Sequence, residues 1–187
     1  MDEQCLQGRL RPRPCVACPA SAATSAAHHH ARHETLRFFW QDKINFTDFF
    51  VLRGLPGVGS AIFTTTSVSY GSVLVFVDPL TETPDPAKQI GTARGTFTGA
   101  SFDGIIVYSA FTFEFNTTKR KGTLSFLGSY PTTVAATIPV VGGTGDFLFV
   151  QGYSVFTPVN TSTFNVTYGV DLRVYWPASG IYYLCYF

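Results

Sequence analysis

The sequence predicts an all-β protein, an eight-stranded antiparallel β-barrel, from three observations. Apolar and polar residues alternate with a period of two through most of the chain, and no stretch shows the 3.6-residue period of an amphipathic helix. Residues that favour turns separate the alternating stretches at short intervals. Several stretches are longer than the strands of a β-sandwich usually are, and the tilted strands of a closed barrel use that length.

Eight strands follow from this pattern in chain order. The fourth shows the alternation most clearly, with one face formed by Ile105, Val107, Ser109, Phe111, Phe113 and Phe115. Turn signals between the strands include Asp78-Pro79, Asp103-Gly104 and Gly142-Gly143-Thr144-Gly145. The predicted strands are 36–43, 70–78, 89–99, 105–115, 122–129, 134–140, 146–157 and 163–176.

The aromatic content indicates what covers the two faces of the sheet. With 18 Phe and 9 Tyr, several strands carry apolar side chains on both faces. An eight-stranded barrel encloses an interior that side chains fill or that holds one small ligand. The apolar outer wall predicts a homo-oligomer that covers it.

Charge and histidine placement exclude several classes of function. Beyond residue 33 the chain carries 9 Lys and Arg against 10 Asp and Glu, which is no basis for binding a nucleic-acid backbone. No apolar run approaches the ~20 residues of a membrane span. All four His lie between residues 28 and 33, so the body has neither a His-based catalytic triad nor a His-ligated metal. Acid–base chemistry there falls to Asp, Glu, Tyr or Lys.

The first 33 residues are predicted to be a leader and residues 34–187 the folded domain. The leader is rich in Arg, Pro, Ala, Ser and His and shows no periodicity. It fits the end of a signal peptide that lacks its hydrophobic part, an organelle transit peptide or a disordered tail, and the residues leave the three open. It holds Cys5, Cys15 and Cys18. In a secreted chain one of these pairs with Cys185, and the sequence does not choose which.

Four glycosylation sequons favour the secretory route. Each has the pattern Asn-x-Ser/Thr, and most lie at predicted turns or strand ends, where a glycan is solvated. The acceptor residues are Asn45, Asn116, Asn160 and Asn165.

Several ordered motifs resemble those of the plant dirigent protein family, from about residue 34 to 176. The most specific is Gly142-Gly143-Thr144-Gly145-Asp146-Phe147, which is followed by Gly152-Tyr153. The other matching segments are 36–42, 71–82, 90–95 and 122–128. The resemblance implies an eight-stranded antiparallel barrel that assembles as a homo-oligomer, usually a trimer, and is secreted to the apoplast.

The implied function is stereodirected radical coupling without a cofactor or metal. In this family a separate laccase or peroxidase makes phenoxy radicals from monolignols such as coniferyl alcohol. The barrel then holds two radicals so that one pair of faces couples, giving an optically active lignan. Orienting two partners is an entropic task for an aromatic-lined pocket. A buried carboxylic acid, its pKa raised by burial, can protonate the quinone methide that coupling leaves.

The resemblance assigns site residues one by one. The acids of the family pocket match Asp42, Asp78 and Asp146, which are therefore the predicted catalytic residues. The predicted pocket residues are Phe97, Phe113, Phe147 and Gln151.

The chain departs from the family pattern at three positions. Gln41 stands where the family usually has His, Phe97 where it has Tyr, and Gln151 where it has an Arg that pairs with the pocket acid. Without that Arg, we expect the pKa of Asp146 to rise and its orientation to loosen.

Two other functions remain open on the same fold. One is a cyclase or lyase that closes a quinone methide, or a plastid cyclase similar to allene oxide cyclase. The other is a binding or cell-wall module that carries a small apolar ligand without chemistry of its own. A requirement for an external oxidase separates radical coupling from the cyclase, and a glycosylated chain is not a typical plastid import product.

Overall fold

The computed structural model describes residues 31–44, 46–55, 58 and 68–177. A 3-10 turn, Gly145–Phe147, lies between the seventh and eighth strands. Within this part of the chain no helix has the length and apolar character to cross a membrane. The strands are β1 Arg32–Lys43, β2 Asp48–Leu52, β3 Val73–Thr81, β4 Gln89–Gly99, β5 Ile106–Asn116, β6 Lys121–Pro131, β7 Ala136–Gly143, β8 Gln151–Thr161 and β9 Asn165–Trp176.

Eight of these strands close into the predicted antiparallel barrel. Their order around the barrel is β1-β9-β8-β7-β6-β5-β4-β3. The ring closes where β3 pairs with β1, with Phe39 opposite Thr81 and Trp40 opposite Leu80. A closed sheet leaves no free edge among these eight strands over the length that is paired. The predicted fold class is therefore confirmed.

Strand β2 is an addition that the sequence pattern did not predict. It pairs antiparallel with the first half of β3, from Asp48 opposite Phe76 to Leu52 opposite Val73. The second half of β3 pairs with β1 instead. Strand β3 thus changes neighbour part-way along its length, which places the first residue of β2 beside the barrel closure.

The predicted strand 146–157 is wrong at its beginning. Residues Gly145–Phe147 form a 3-10 turn, and β8 begins only at Gln151. Gly145 and Phe149 both have a φ of 61°, in the left-handed region, and such residues cannot continue an extended strand. Of the apolar run in this segment, Phe147 and Val150 are buried, whereas Leu148 and Phe149 are exposed.

Aromatic side chains fill the barrel interior. Val107, Ser109, Phe111, Phe113 and Phe115 of the predicted face are all buried, whereas Ile105 precedes β5 and is exposed. Residues at alternate positions of a strand point to the same face, so β4, β6, β8 and β9 add their own apolar rows. The rings meet in edge-to-face, tilted and stacked pairs, including Phe113 with Phe126 at 4.9 Å between ring centroids.

The outer wall exposes apolar side chains, among them Val75, Val77, Leu127 and Val141. Oligomerisation through this wall stays a prediction. Strand β1 begins at Arg32, just before the predicted domain start. Residues 1–30, Asn45 and Cys185 lie outside the described residues. The other sequon residues, Asn116, Asn160 and Asn165, are exposed, and their glycosylation also stays a prediction.

Candidate active site

Three aspartates meet inside the barrel wall. Asp42 lies near the end of β1, Asp48 begins β2 and Asp78 lies in the second half of β3. One carboxylate oxygen from each lies within 4.8 Å of the other two. The three residues expose only 6%, 2% and 0% of their surface, respectively. We call these residues the carboxyl cluster.

Strand pairing and one tight turn bring the carboxyl cluster together. Asp42 shares the inward face of β1 with Trp40, and Asp78 shares that of β3 with Phe76. The β1–β3 closure places these two strands side by side. The chain then reverses after Lys43, where the Thr47 N–H donates to the Lys43 carbonyl at 2.8 Å, and this turn returns Asp48 to the cluster.

Few neutral groups satisfy the three carboxyls. The Trp40 indole N–H donates to Asp78 Oδ2 at 2.7 Å. The Thr47 hydroxyl lies 3.4 Å from Asp48 Oδ1. Asp42 Oδ1 and Asp78 Oδ1 are buried and have no hydrogen-bond partner among the described residues. A buried polar atom without a partner is costly.

Burial raises the pKa of every member of the carboxyl cluster. Loss of solvation is the largest cause, and the negative charge of a neighbouring carboxyl adds to it. The pKa reaches about 7 for Asp42, about 8 for Asp78 and about 9 for Asp48. At neutral pH the cluster therefore retains protons, and it can donate them in a way that an exposed aspartate cannot.

Aromatic rings surround the carboxyl cluster. Trp40 stacks on Phe97 at 5.8 Å and contacts Tyr168 at 5.4 Å, and Phe76 stacks on Phe97 at 4.5 Å. Burial also raises the pKa of Tyr168 well above its ordinary value, so its phenol stays neutral. Ring faces next to neutral acids suit a phenolic ligand, which offers a ring to stack and an oxygen to protonate.

Gln41 has a bonding role where the resemblance suggested a lost histidine. Its side-chain amide N–H groups donate to Thr81 Oγ1 at 3.1 Å and to the Pro84 carbonyl at 2.9 Å. Its amide oxygen accepts from the Thr167 hydroxyl at 2.9 Å. The buried amide thus ties β1 to β9 and to the loop after β3, next to the carboxyl cluster.

The structure brings Asp42 and Asp78 together but places the third predicted acid elsewhere. Asp146 is exposed in the 3-10 turn, and its Oδ2 accepts the Lys121 backbone N–H at 2.8 Å. Gln151 is also exposed and bonds to Tyr175 on the outer face of the neighbouring strand. Neither residue belongs to the carboxyl cluster, and their assignment as pocket residues stays a prediction.

The three predicted pocket phenylalanines are all buried. Phe97 and Phe113 both contact Trp40 in the barrel interior. Phe147 packs on Phe115 and Trp176 and has no ring contact with Trp40 among the described residues. Of the three, Phe97 and Phe113 contact Trp40, whose indole N–H also donates to Asp78 of the carboxyl cluster.

Asp48 is the member of the cluster that sequence reasoning missed. Its signal was a single acid directly ahead of the apolar run Phe49-Phe50-Val51-Leu52. An acid in that position opens a strand or lies in a surface turn in most proteins, so the local pattern alone does not reveal burial.

The carboxyl cluster also has the composition of a site for a hard cation. Ca²⁺ takes about six to eight oxygen ligands and Mg²⁺ a full octahedron. Among the described residues, Thr47 is the one further hydroxyl in contact with these carboxyls. Retained protons also compete with a metal for the same oxygens. The residues therefore fit proton-holding acids better than a metal site.

Comparison with known proteins identifies the family of this chain. A sequence model of the family described as Dirigent-like protein matches residues 33–175. This chain belongs to the dirigent family. Dirigent protein 1 of Arabidopsis thaliana is 33% identical over 95 residues, which are 49% of this chain and 52% of that protein. A dirigent protein of Sinopodophyllum hexandrum is 38% identical over 85 residues, 44% of each chain. These matches span about half the length of the two dirigent relatives.

Solved structures of dirigent proteins show the same barrel. A pterocarpan synthase dirigent protein superposes with a TM-score of 0.69 at 26% identity, over 80% of this chain and 97% of that one. A second has a TM-score of 0.67 at 24% identity, over 79% and 92%. A Diels–Alderase from Streptomyces koyangensis has a TM-score of 0.55 at 18% identity, over 84% of this chain and 74% of that one, and shows likeness of fold alone.

Proposed function

We propose that this dirigent protein directs the coupling of monolignol-type phenoxy radicals and assists closure of the quinone methides that result. The radicals come from a separate laccase or peroxidase, so the protein supplies orientation and acid–base assistance. The observation that carries the proposal is the carboxyl cluster of Asp42, Asp48 and Asp78, buried against aromatic rings with pKa values near or above neutrality.

The chemistry balances without a cofactor. Each radical contributes one electron to the new carbon–carbon bond, and the product carries a quinone methide on each half. A side-chain hydroxyl of one half then bonds to the quinone methide carbon of the other. The hydroxyl loses its proton, and the quinone oxygen gains one and becomes a phenol. One protonated carboxyl and one carboxylate therefore suffice for each closure, and both are regenerated after proton return.

Two features of the site support this assignment of roles. Asp42 Oδ1 and Asp78 Oδ1 are buried without partners, so each can bond a hydroxyl or phenolic oxygen of a ligand. Phe97 and Phe113 contact Trp40 in the same interior, so a planar phenol admitted beside the carboxyl cluster would stack among aromatic rings. Fixing two radicals in this way replaces random encounter by one geometry.

The proposal also includes the oligomeric state of the protein and the compartment in which it acts. A homo-oligomer, trimeric as in the family, covers the apolar outer wall, and the chain is secreted to the apoplast, where it meets the oxidase. The exposed sequon residues Asn116, Asn160 and Asn165 support passage through the secretory route. Size measurement of the purified protein and glycan release with a glycosidase test these two points.

The test is product stereochemistry. Full-length protein is given coniferyl alcohol with a laccase, and the enantiomers of pinoresinol are separated by chiral chromatography against a laccase-only control. We expect an enantiomeric excess that falls several-fold in both Asp42→Asn and Asp78→Asn, since each removes one carboxyl from the cluster. Asp85→Asn is the matched control, because Asp85 is an exposed loop residue that bonds the Ala87 N–H.

Racemic pinoresinol with folded protein would reject this substrate and product. An enantiomeric excess that both cluster variants retain would reject the acid–base role while leaving orientation intact. Ligand binding with no change in the product mixture would favour the small-ligand binding module.

A second candidate is ring closure on a single phenolic substrate without an oxidase. The similarity to two pterocarpan synthase dirigent proteins favours it, since their name refers to a synthase of another product. The same carboxyl cluster would protonate the quinone methide oxygen and accept the hydroxyl proton. Incubating the protein with a preformed quinone methide precursor, with and without laccase, separates the two. Product formation at full rate without laccase would establish the second candidate.

A further inference from the structure

The pairing that closes the barrel between β1 and β3 is short and ends just before the carboxyl cluster. Its last residue pair is Trp40 opposite Leu80. The same register carried two residues further would place Asp42 opposite Asp78, but within the described strands the β1–β3 pairing stops before that point. The first half of β3 pairs with β2 instead. Strand pairing alone therefore does not hold these two acids side by side.

The side chain of Gln41 bonds β1 to its neighbours at the point where this pairing ends. Gln41 is 4% exposed. Its Nε2 donates to Thr81 Oγ1 at 3.1 Å, at the end of β3, and to the Pro84 carbonyl at 2.9 Å, in the loop that follows. Its Oε1 accepts from the Thr167 hydroxyl of β9 at 2.9 Å. Because Gln41 directly precedes Asp42, these bonds also restrain the backbone of Asp42.

The partners of Gln41 fix the orientation of its amide. The Pro84 carbonyl can only accept, and the Thr81 hydroxyl donates to the Thr83 carbonyl at 2.7 Å, so both require an N–H from Gln41. The amide oxygen then faces Thr167. A primary amide meets this demand for two donors and one acceptor, whereas a neutral imidazole offers one of each. Glutamine thus makes one bond more than the histidine that is usual here in the family.

The bonds of Gln41 to the β3 side and to the β9 side differ in what they add. Strand β1 is already paired with β9 along its whole length, from Arg32 to Lys43. The bond to Thr167 therefore adds one link to a continuous ladder. The bonds to Thr81 and Pro84 lie where the pairing with β3 ends, so little else joins the two strands there.

We infer that Gln41 is a positioning residue that bonds β1 to the end of β3 and thereby keeps Asp42 beside Asp78. The consequence for radical coupling rests on the proposed function, whereas the placement of the two acids does not. Without the β3-side bonds, we expect the strands to separate next to the carboxyl cluster and water to enter between the acids. A ligand oxygen would then no longer meet both carboxyls in one arrangement.

Three substitutions separate the bonds of Gln41. Gln41→Met has a similar length and removes all of them. Thr81→Val removes the side-chain partner on β3, and Thr167→Val removes the partner on β9. Gln89→Met is the matched control, because Gln89 is an exposed glutamine of β4 whose amide N–H donates to the Gly91 carbonyl.

The first measurement is a pH titration of full-length protein with ¹³C-labelled aspartate carboxyl carbons, followed by NMR, in which Asp42→Asn assigns the Asp42 signal. We expect the Asp42 midpoint to fall by about one pH unit or more in Gln41→Met and in Thr81→Val, since hydration restores the charged form. It should stay in place in Thr167→Val and Gln89→Met. An unchanged midpoint in folded Gln41→Met would overturn the inference, and so would an equal shift in Thr167→Val.

Hydrogen exchange followed by mass spectrometry separates a local effect from a general loss of stability. In Gln41→Met, exchange should become faster in the end of β1 and in β3 and remain unchanged in β5 and β6. Faster exchange in all four strands would mean a merely structural role and would overturn the inference. If Gln41→Met does not fold, Thr81→Val carries both measurements.

The two measurements contain no substrate, so they do not depend on whether pinoresinol is the product. A racemic product from the unsubstituted chain, together with the expected midpoints, would reject the proposed function and support the placement of Asp42 by Gln41. With an active protein, we expect the enantiomeric excess to fall several-fold in Gln41→Met and to be retained in Gln89→Met. An excess that Gln41→Met retains despite a shifted Asp42 midpoint would overturn the role of Gln41 in coupling.

Discussion

Two aspartates that look alike in the sequence, Asp78 and Asp146, end in opposite environments. Each stands beside residues that favour turns, Pro79 in one case and Gly145 in the other, and each adjoins an apolar run. Asp78 is fully buried within β3, and the Trp40 indole is its hydrogen-bond donor. Asp146 is exposed in a 3-10 turn and accepts a backbone N–H from Lys121.

The two residues differ in the backbone around them, since Asp78 lies within a continuous strand and Asp146 lies in a 3-10 turn. Strand β3 continues through Asp78 with neighbours on both sides, β4 along its length and β1 near its end. Near Asp146 the backbone enters the left-handed region at Gly145 and again at Phe149, so no strand continues inward. Burial then raises the pKa of Asp78.

The largest expected effect is on the free energy of unfolding. It compares a Phe→Ala substitution in the barrel interior with one in the segment that follows Asp146. Phe113 is fully buried and contacts Trp40, Phe38 and Phe126, so Phe113→Ala should lower the free energy of unfolding by about 3–5 kcal/mol. Phe149 is 78% exposed, and Phe149→Ala should change the free energy of unfolding by less than about 0.5 kcal/mol. Urea denaturation followed by circular dichroism measures both. Equal losses would mean that the 3-10 turn segment is as well packed as the barrel interior.

A second effect is the pH dependence of stability that the carboxyl cluster imposes. The folded-state pKa values of about 7, 8 and 9 lie above the ordinary value of 3.8, so the folded chain binds more protons than the unfolded chain between these limits. The free energy of unfolding should therefore be greatest near pH 4. It should then fall as the pH rises through the folded-state pKa values, until the cluster has ionised.

Substitution within the cluster sharpens this prediction. The double variant Asp42→Asn/Asp78→Asn should flatten the decline in unfolding free energy between pH 4 and pH 9, because fewer buried groups ionise there. Asp146→Asn should keep the full decline. Urea titrations at several pH values measure this decline. If the unfolding free energy of the double variant fell with pH as steeply as that of the unsubstituted chain, the cluster would not hold its protons.

The smallest expected effect belongs to Asp146 itself. An asparagine oxygen can still accept the Lys121 N–H, so Asp146→Asn should change the free energy of unfolding by less than about 0.5 kcal/mol. Enantiomeric excess in the coupling assay should stay within error of the unsubstituted chain. A loss of excess as large as that of Asp78→Asn would restore Asp146 as a pocket acid and remove the distinction drawn between the two regions.

Sequence reasoning reached most of the fold and part of the site. It placed Asp42 and Asp78 among the acids, because both lie in motifs that resemble the dirigent family. It placed Asp146 and Gln151 in the pocket by the same route, whereas the structure shows both exposed and apart from the carboxyl cluster. It missed Asp48, since β2 is a short strand whose pairing with β3 leaves no periodic signal.

The alternation of apolar and polar residues determined that the chain is all-β and which residues of β5 share a face, and the length of the strands favoured a barrel over a sandwich. Side-chain direction along a strand is a local property with a period of two, so the sequence carries it directly. Only the tertiary structure decided which acids share a site. Asp42, Asp48 and Asp78 meet because β3 pairs with β1 and β2 in turn, and the resulting burial raises their pKa values. Such pairings join distant parts of the chain, and no local pattern specifies them.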